Sequence, residues 1–288
     1  MTAIAFLGIG LMGRPMAGRL LAAGYRVAVW NRSAGKAAPL VEAGAILTTS
    51  PAEAVAAADV VCLCLTDALA IEDLLLGAPD ALGALKPGAI IVDFSTVGPG
   101  PTRALAAIVQ AANPSVRWVD APVTGGVQGA ERGELVILCG GEPPDVDAVR
   151  PLLAHLAKRV CHLGPLGAGQ AAKLCNQLIV AVNVVAVAEA LALARANGID
   201  PNALPDALAG GWADSLPFQI IGRRMAAGVD EPAIVSVGTF AKDLALVLRA
   251  SSGRLELAEA ADAIYRQARD LGIADADATA LLPFVERR

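Results

Sequence analysis

Three polar residues interrupt an otherwise apolar stretch in the second half of the chain. They are Lys173, Asn176 and Gln177, within Lys173-Leu174-Cys175-Asn176-Gln177-Leu178-Ile179-Val180. Read as helix, positions i, i+3 and i+4 share one face. A lysine among carboxamides is a candidate proton donor, and burial would bring its pKa down toward neutrality. The alternative is a solvated first turn, but a cation at a helix N-terminus opposes the macrodipole. A second candidate is Asp120-Ala121-Pro122-Val123-Thr124-Gly125-Gly126. Two glycines after a hydroxyl make a backbone that a ligand can approach closely, and free amides with the Thr124 hydroxyl could hold a carboxylate. In isolation the segment reads first as a plain turn. Lys242-Asp243, in Phe240-Ala241-Lys242-Asp243-Leu244, is by itself an ordinary charge pair on a helix.

The N-terminus carries the most specific pattern. The apolar run Ala3–Leu7 leads into Gly8-Ile9-Gly10-Leu11-Met12-Gly13, then a helix-like stretch to Ala23, Gly24, and a second apolar run, Arg26–Trp30. Strand, glycine turn, helix, strand is the context in which G-x-G-x-x-G signals a dinucleotide site. Gly8 permits the turn, Gly10 the approach of a pyrophosphate, and Gly13 close helix–strand packing. The helix start supplies free N–H groups and a partial positive charge. At the end of the second run, where an NAD site usually carries an acid for the ribose hydroxyl, stands Asn31-Arg32-Ser33. No carboxylate is there to repel a 2′-phosphate. The Arg32 fork, the Ser33 hydroxyl and Lys36 one turn on suit one, so NADP is expected over NAD.

These residues need a scaffold, and the chain has length for two domains, with 288 residues. Up to about residue 163, short apolar runs alternate with helical stretches: Ala3–Leu7, Arg26–Trp30, Val60–Leu65, Ala89–Phe94, Arg117–Asp120, Leu135–Cys139 and Val160–Leu163. This predicts an α/β, doubly wound, mostly parallel Rossmann domain over 1–163, mixed where the later strands crowd together. Gly164-Pro165-Leu166-Gly167-Ala168-Gly169 reads as the boundary. Residues 164–288 then read as an all-α domain around one long helix, Gln170 to Asn197, ended by Gly198, with Asp200-Pro201 starting the next.

Composition narrows the partners. A net charge of −5 argues against nucleic acid. Leu174 to Ala188 is uncharged, but at about fifteen residues it falls short of the about twenty that a membrane span needs, and it holds Asn176, Gln177 and Asn183. The five cysteines form no C-x-x-C pair and read as small buried hydrophobes in a reducing cytoplasm. The two histidines, His155 and His162, have no ligand companions, so no metal is expected. The apolar N-terminus has no positive charge before it and reads as a strand rather than a leader.

Taken in order, Gly8-Ile9-Gly10-Leu11-Met12-Gly13-Arg14-Pro15-Met16-Ala17, Asp120–Gly126, Lys173-Leu174-Cys175-Asn176 and Lys242-Asp243-Leu244 resemble the β-hydroxyacid dehydrogenase family over nearly the whole chain. The branches nearest in motif are 3-hydroxyisobutyrate dehydrogenases and tartronate semialdehyde reductases. The resemblance implies an active site in the cleft between a Rossmann and a helical domain, and NAD(P)-dependent hydride transfer to or from a small 3-hydroxy acid or its semialdehyde. It implies Lys173 as catalytic acid/base, Thr124, Gly125 and Gly126 as carboxylate site, and Asn176 as orienting group. Ser95 and Thr96 would lie beside the nicotinamide ribose, with Leu65 and Thr66 nearby, and Lys242 would close over the cofactor. Thr124 replaces a more usual Ser, and Thr66 a common Pro. Gln177 replaces a frequent second Asn, as in tartronate semialdehyde reductases. Trp212, in Gly210-Gly211-Trp212-Ala213-Asp214-Ser215, falls in the region of a substrate-lining loop. An imine reductase on the same scaffold is disfavoured by Lys173, which such relatives usually lack. A non-catalytic NADP-binding module is disfavoured by Lys173 and Thr124 together. Leu178 to Leu193 is too apolar for a solvent-facing helix, so a homodimer or homotetramer is expected, as in relatives.

Overall fold

A computed structural model describes residues 2–77 and 81–287. The chain divides into two compact units, Met1–Lys173 and Leu174–Arg288. In the first, β1 (Ala3–Leu7), β2 (Arg26–Trp30), β3 (Ile46–Leu47), β4 (Val60–Leu63), β5 (Ile90–Asp93) and β6 (Arg117–Asp120) form one sheet in the order β3-β2-β1-β4-β5-β6. Every pairing in it is parallel. Helices cover both faces, so the central strands are apolar except for Asp93 at the end of β5; β4 and β5 are buried at every position. One core lies on each side, around Phe6, Met16 and Val92 on one face and Leu7, Ile71 and Ile91 on the other. The strand order reverses between β1 and β4, which places a crevice at the carboxyl ends of these strands.

The later strands leave this sheet. β7 (Val123–Thr124), β8 (Leu135–Cys139) and β9 (Ala157–His162) make a separate three-stranded sheet, with β7 antiparallel and β9 parallel to β8. The mixed region expected at the end of the main sheet is therefore a second sheet, joined to the first by the bridge between Asp120 and Gly140.

The long helix spans Ala168–Ala196. The first unit extends past the glycine-rich segment, which the sequence marked as the boundary, to Lys173. The cause is a set of hydrogen bonds from Asp120 and Gln170, described below, that ties the first turns of this helix to the main sheet.

The second unit is helical. Leu174, Ala181, Val184, Ala188 and Leu191 of the long helix pack with Phe240 and Leu244 of the helix Val237–Ala250, Tyr265 of the helix Glu256–Ala268, and Leu281. The Tyr265 hydroxyl donates to the Ala181 carbonyl at 3.1 Å, and the Ser215 hydroxyl donates to Asn183 Oδ1 at 2.9 Å. These bonds account for two polar groups in apolar surroundings. The long helix is not covered all round: Ile179 is 68% and Leu193 65% exposed. Cys175 lies on that open side, so the expectation of five buried cysteines fails there.

Candidate active site

The glycine turn sits over the strand-order reversal. A Cβ on Gly8 would lie 2.2 Å from the Cys64 carbonyl oxygen, and one on Gly13 2.0 Å from the Gly8 carbonyl oxygen. These two positions are closed by the protein's own backbone. A Cβ on Gly10 would meet nothing within 4 Å. Gly10 and Leu11 are exposed and Met12 is half-buried, whereas Ile9 is core. The helix Gly13–Ala22 begins with no side-chain cap and no acid in its first turn. Its orphan N–H groups and positive end thus open above Gly10, where a pyrophosphate fits.

Asn31 works on the protein side of this site. Its Oδ1 accepts from the Ile9 amide at 2.9 Å and its Nδ2 donates to the Ser33 carbonyl at 3.0 Å, fastening the end of β2 to the glycine turn. Arg32, Ser33 and Lys36 are exposed beyond it.

The ends of β4, β5 and β6 are bound to the start of the long helix. The Leu65 amide donates to Ser95 Oγ at 2.9 Å, and the Ser95 amide to Asp93 Oδ1 at 2.9 Å. Gln170 is fully buried. Its Oε1 accepts from the amides of Val97 and Gly98, each at 3.0 Å, and its Nε2 donates to the Ser95 carbonyl at 2.7 Å. Asp120, also buried, accepts from the Gly167 amide at Oδ1 and the Gln170 amide at Oδ2, both at 2.7 Å. Burial raises the Asp120 carboxyl above its ordinary range, and these amides oppose it. Lys173 follows one turn after Gln170 and is 8% exposed. Thr124 is half-buried, and Gly125 and Gly126 are exposed at positive φ, +126° and +62°. Thr96 is half-buried, and Thr66 is exposed with its hydroxyl on Asp67 Oδ2 at 3.1 Å. The first unit therefore contains the glycine turn, Arg32, the 95–98 turn, the Thr124 segment and Lys173.

In the second unit Asn176 Nδ2 donates to Gln177 Oε1 at 2.9 Å, and Gln177 Nε2 donates to Asp243 Oδ2. Lys242 Nζ lies 3.1 Å from Asp243 Oδ1. Gln177 and Lys242, separate in sequence, thus meet around one carboxylate, and Asn176 joins them through Gln177. Trp212 does not join them. It is fully exposed at the tip of a loop held by Asp214, whose carboxylate accepts from the Gly210 amide at 2.7 Å and from Gln219 at 2.6 Å.

Sequence reasoning missed Gln170, Asp93 and Asp243 as functional candidates. The polar Gln170 opening an apolar helix straight after a glycine-rich turn was a usable signal. Asp93 carried none, because a strand-end acid is commonplace, and Asp243 stood out only as the neighbour of Lys242.

Two family models match the two halves of the chain. The family model described as the NAD binding domain of 6-phosphogluconate dehydrogenase matches residues 3–164. The model described as NAD-binding of NADP-dependent 3-hydroxyisobutyrate dehydrogenase matches residues 167–285. The chain is 34% identical over 286 residues to an NAD-dependent L-serine dehydrogenase of Pseudomonas aeruginosa, covering 96% of this chain and 95% of the relative. It is 34% identical over 248 residues to the 2-hydroxy-3-oxopropionate reductase of Escherichia coli, covering 86% and 84%. Among solved structures, the 3-hydroxyisobutyrate dehydrogenase of Mycobacterium tuberculosis with L-serine superposes with a TM-score of 0.86 at 31% identity, covering 99% of each chain.

Proposed function

The chain belongs to the β-hydroxyacid dehydrogenase family and is an NAD(P)-dependent oxidoreductase, and from this we propose that it is an NADP-preferring reductase/dehydrogenase of small 3-hydroxy acids with Lys173 as its acid/base. The observation that carries the reading is the placement of Lys173. It is buried, one helical turn beyond a glutamine whose side chain is tied to the turn at the end of β5. Lys173 and the 95–98 turn therefore belong to the same compact unit.

The uncapped helix start and Gly10 would hold the pyrophosphate, and Arg32 with Ser33 the 2′-phosphate. A bound nicotinamide supplies the two-electron partner for the hydroxyl-bearing carbon. Lys173 Nζ removes the hydroxyl proton in oxidation and returns it to the developing alkoxide in reduction. The Thr124 hydroxyl and the amides of Gly125 and Gly126 receive the substrate carboxylate, which fixes the reacting carbon for transfer. Asn176, one turn along the helix from Lys173, orients the substrate. The open side of the long helix serves assembly into a homodimer or homotetramer.

Lys173→Ala tests the assignment. Turnover of the best substrate from a panel of small hydroxy acids and semialdehydes should fall by about 10²–10⁴, while the Kd for NADP stays within a few-fold. Turnover close to that of the parent enzyme would assign the proton to another group.

A further inference from the structure

A single carboxylate decides which way two carboxamides face in the second unit. Asp243 is 2% exposed and accepts from Gln177 Nε2 at its Oδ2. Lys242 Nζ sits 3.1 Å from the other oxygen, Oδ1, which leaves Oδ2 to the glutamine. A carboxylate accepts, so Gln177 must turn its NH2 group toward it and its Oε1 away. Oε1 in turn accepts from Asn176 Nδ2 at 2.9 Å. Asn176 thus commits its NH2 group inward and presents Oδ1 on its other side. Reversing either amide sets oxygen against oxygen, so the polarity of the chain is dictated by the charge at its end.

We propose that Asp243 is a positioning residue that sets substrate selectivity by holding Asn176 with Oδ1 as its presented acceptor, so that 3-hydroxy acids with a hydrogen-bond donor at C2, a hydroxyl or an ammonium, are favoured over those with a methyl there. The inference rests on the reading of Asn176 as a substrate-orienting residue. In that reading Lys173 takes the reacting C3 hydroxyl, so the donor left for Asn176 is on the neighbouring carbon. A methyl placed there leaves a desolvated acceptor without a partner, the situation in which an enzyme site rejects an analogue most strongly.

The test compares kcat/KM for 2,3-dihydroxypropanoate, serine and 3-hydroxy-2-methylpropanoate. The parent enzyme should prefer the better of the first two over the methyl compound by about tenfold or more. In Asp243→Asn the terminal group can donate or accept, both amides can reverse, and the preference should shrink by about tenfold. The double variant Gln177→Glu/Asp243→Asn moves the carboxylate one place along the chain. Asn176 again meets an obligate acceptor, so the preference should return. A merely structural role for Asp243 predicts no such return. An unchanged ratio in Asp243→Asn, or no recovery in the double variant, overturns the proposal. One measurement needs no variant: 2-hydroxypropanoate should inhibit the parent enzyme about tenfold better than 2-methylpropanoate, and equal inhibition overturns the proposal as well. If the parent enzyme turns over no small 3-hydroxy acid, the functional reading falls and takes this inference with it. Turnover with an unaltered ratio removes the inference alone.

Discussion

Asp93 is completely buried at the end of β5, and its Oδ2 has no hydrogen-bond partner among the described residues. Burial pushes its carboxyl up to about 7; bonds from Ser95 oppose the rise and the Asp120 charge adds to it. An unfolded aspartate releases its proton near pH 4, but this one keeps it in the fold until about 7. Between those values the folded chain binds more protons than the unfolded chain, so stability falls as pH rises through the window. Asp120 is raised as well and acts in the same sense. Tm should therefore decline across that range, and Asp93→Asn should flatten the decline without abolishing it. A parent and variant with parallel profiles would show that Asp93 is not the titrating group. Arg32 is a different case, an exposed side chain whose proposed role is to bind the 2′-phosphate of a ligand. Arg32→Ala should weaken NADP by about tenfold or more and leave NAD nearly unaffected, because the 2′-phosphate alone distinguishes them. Isothermal titration with both nucleotides decides it, and equal losses would remove the NADP preference.

At the scale of the element, the glycine turn separates packing from binding. Gly13→Ala places a methyl on the Gly8 carbonyl and should cost about 3 kcal/mol or more of stability, visible as a sharp loss in Tm. Gly10→Ala places a methyl in open space and should leave Tm nearly unchanged while weakening nucleotide binding. If both variants lost stability alike, the open space over Gly10 would not be a ligand approach. This turn was legible in the sequence because all its determinants lie within thirty-three residues and follow local spacing. So were the strands Ala3–Leu7, Arg26–Trp30, Arg117–Asp120 and Leu135–Cys139, whose apolar runs match the observed limits. β3 and β7 were not, since two residues carry no periodicity. The Gln170 clamp was hidden for another reason. Its partners are 72 to 75 residues away, and only the tertiary fold brings them together. The Asp243 relay spans 66 residues and was hidden in the same way.

At the scale of the whole molecule, the open side of the long helix predicts assembly. Ile179, Ala186 and Leu193 recur at seven-residue steps and are all exposed in the single chain. An apolar seam of this kind is the usual footprint of a helix partner. Light scattering at micromolar concentration should give a multiple of 29.1 kDa, and Ile179→Glu/Leu193→Glu should shift the mass downward. A parent mass of one chain would refute the assembly. The long helix has one more consequence, for how this architecture can be recombined. Its first turns carry Gln170 and Lys173 and are fitted to the 95–98 turn, whereas its later turns form the core of the second unit. A chimaera joined at the glycine-rich stretch before the helix would import a foreign clamp and lysine and mate them with a turn they were not shaped for. A crossover after Lys173 keeps the clamp with its turn. The seam along which such a protein can exchange its second half thus runs through the interior of a helix, and Lys173 is inherited with the nucleotide fold.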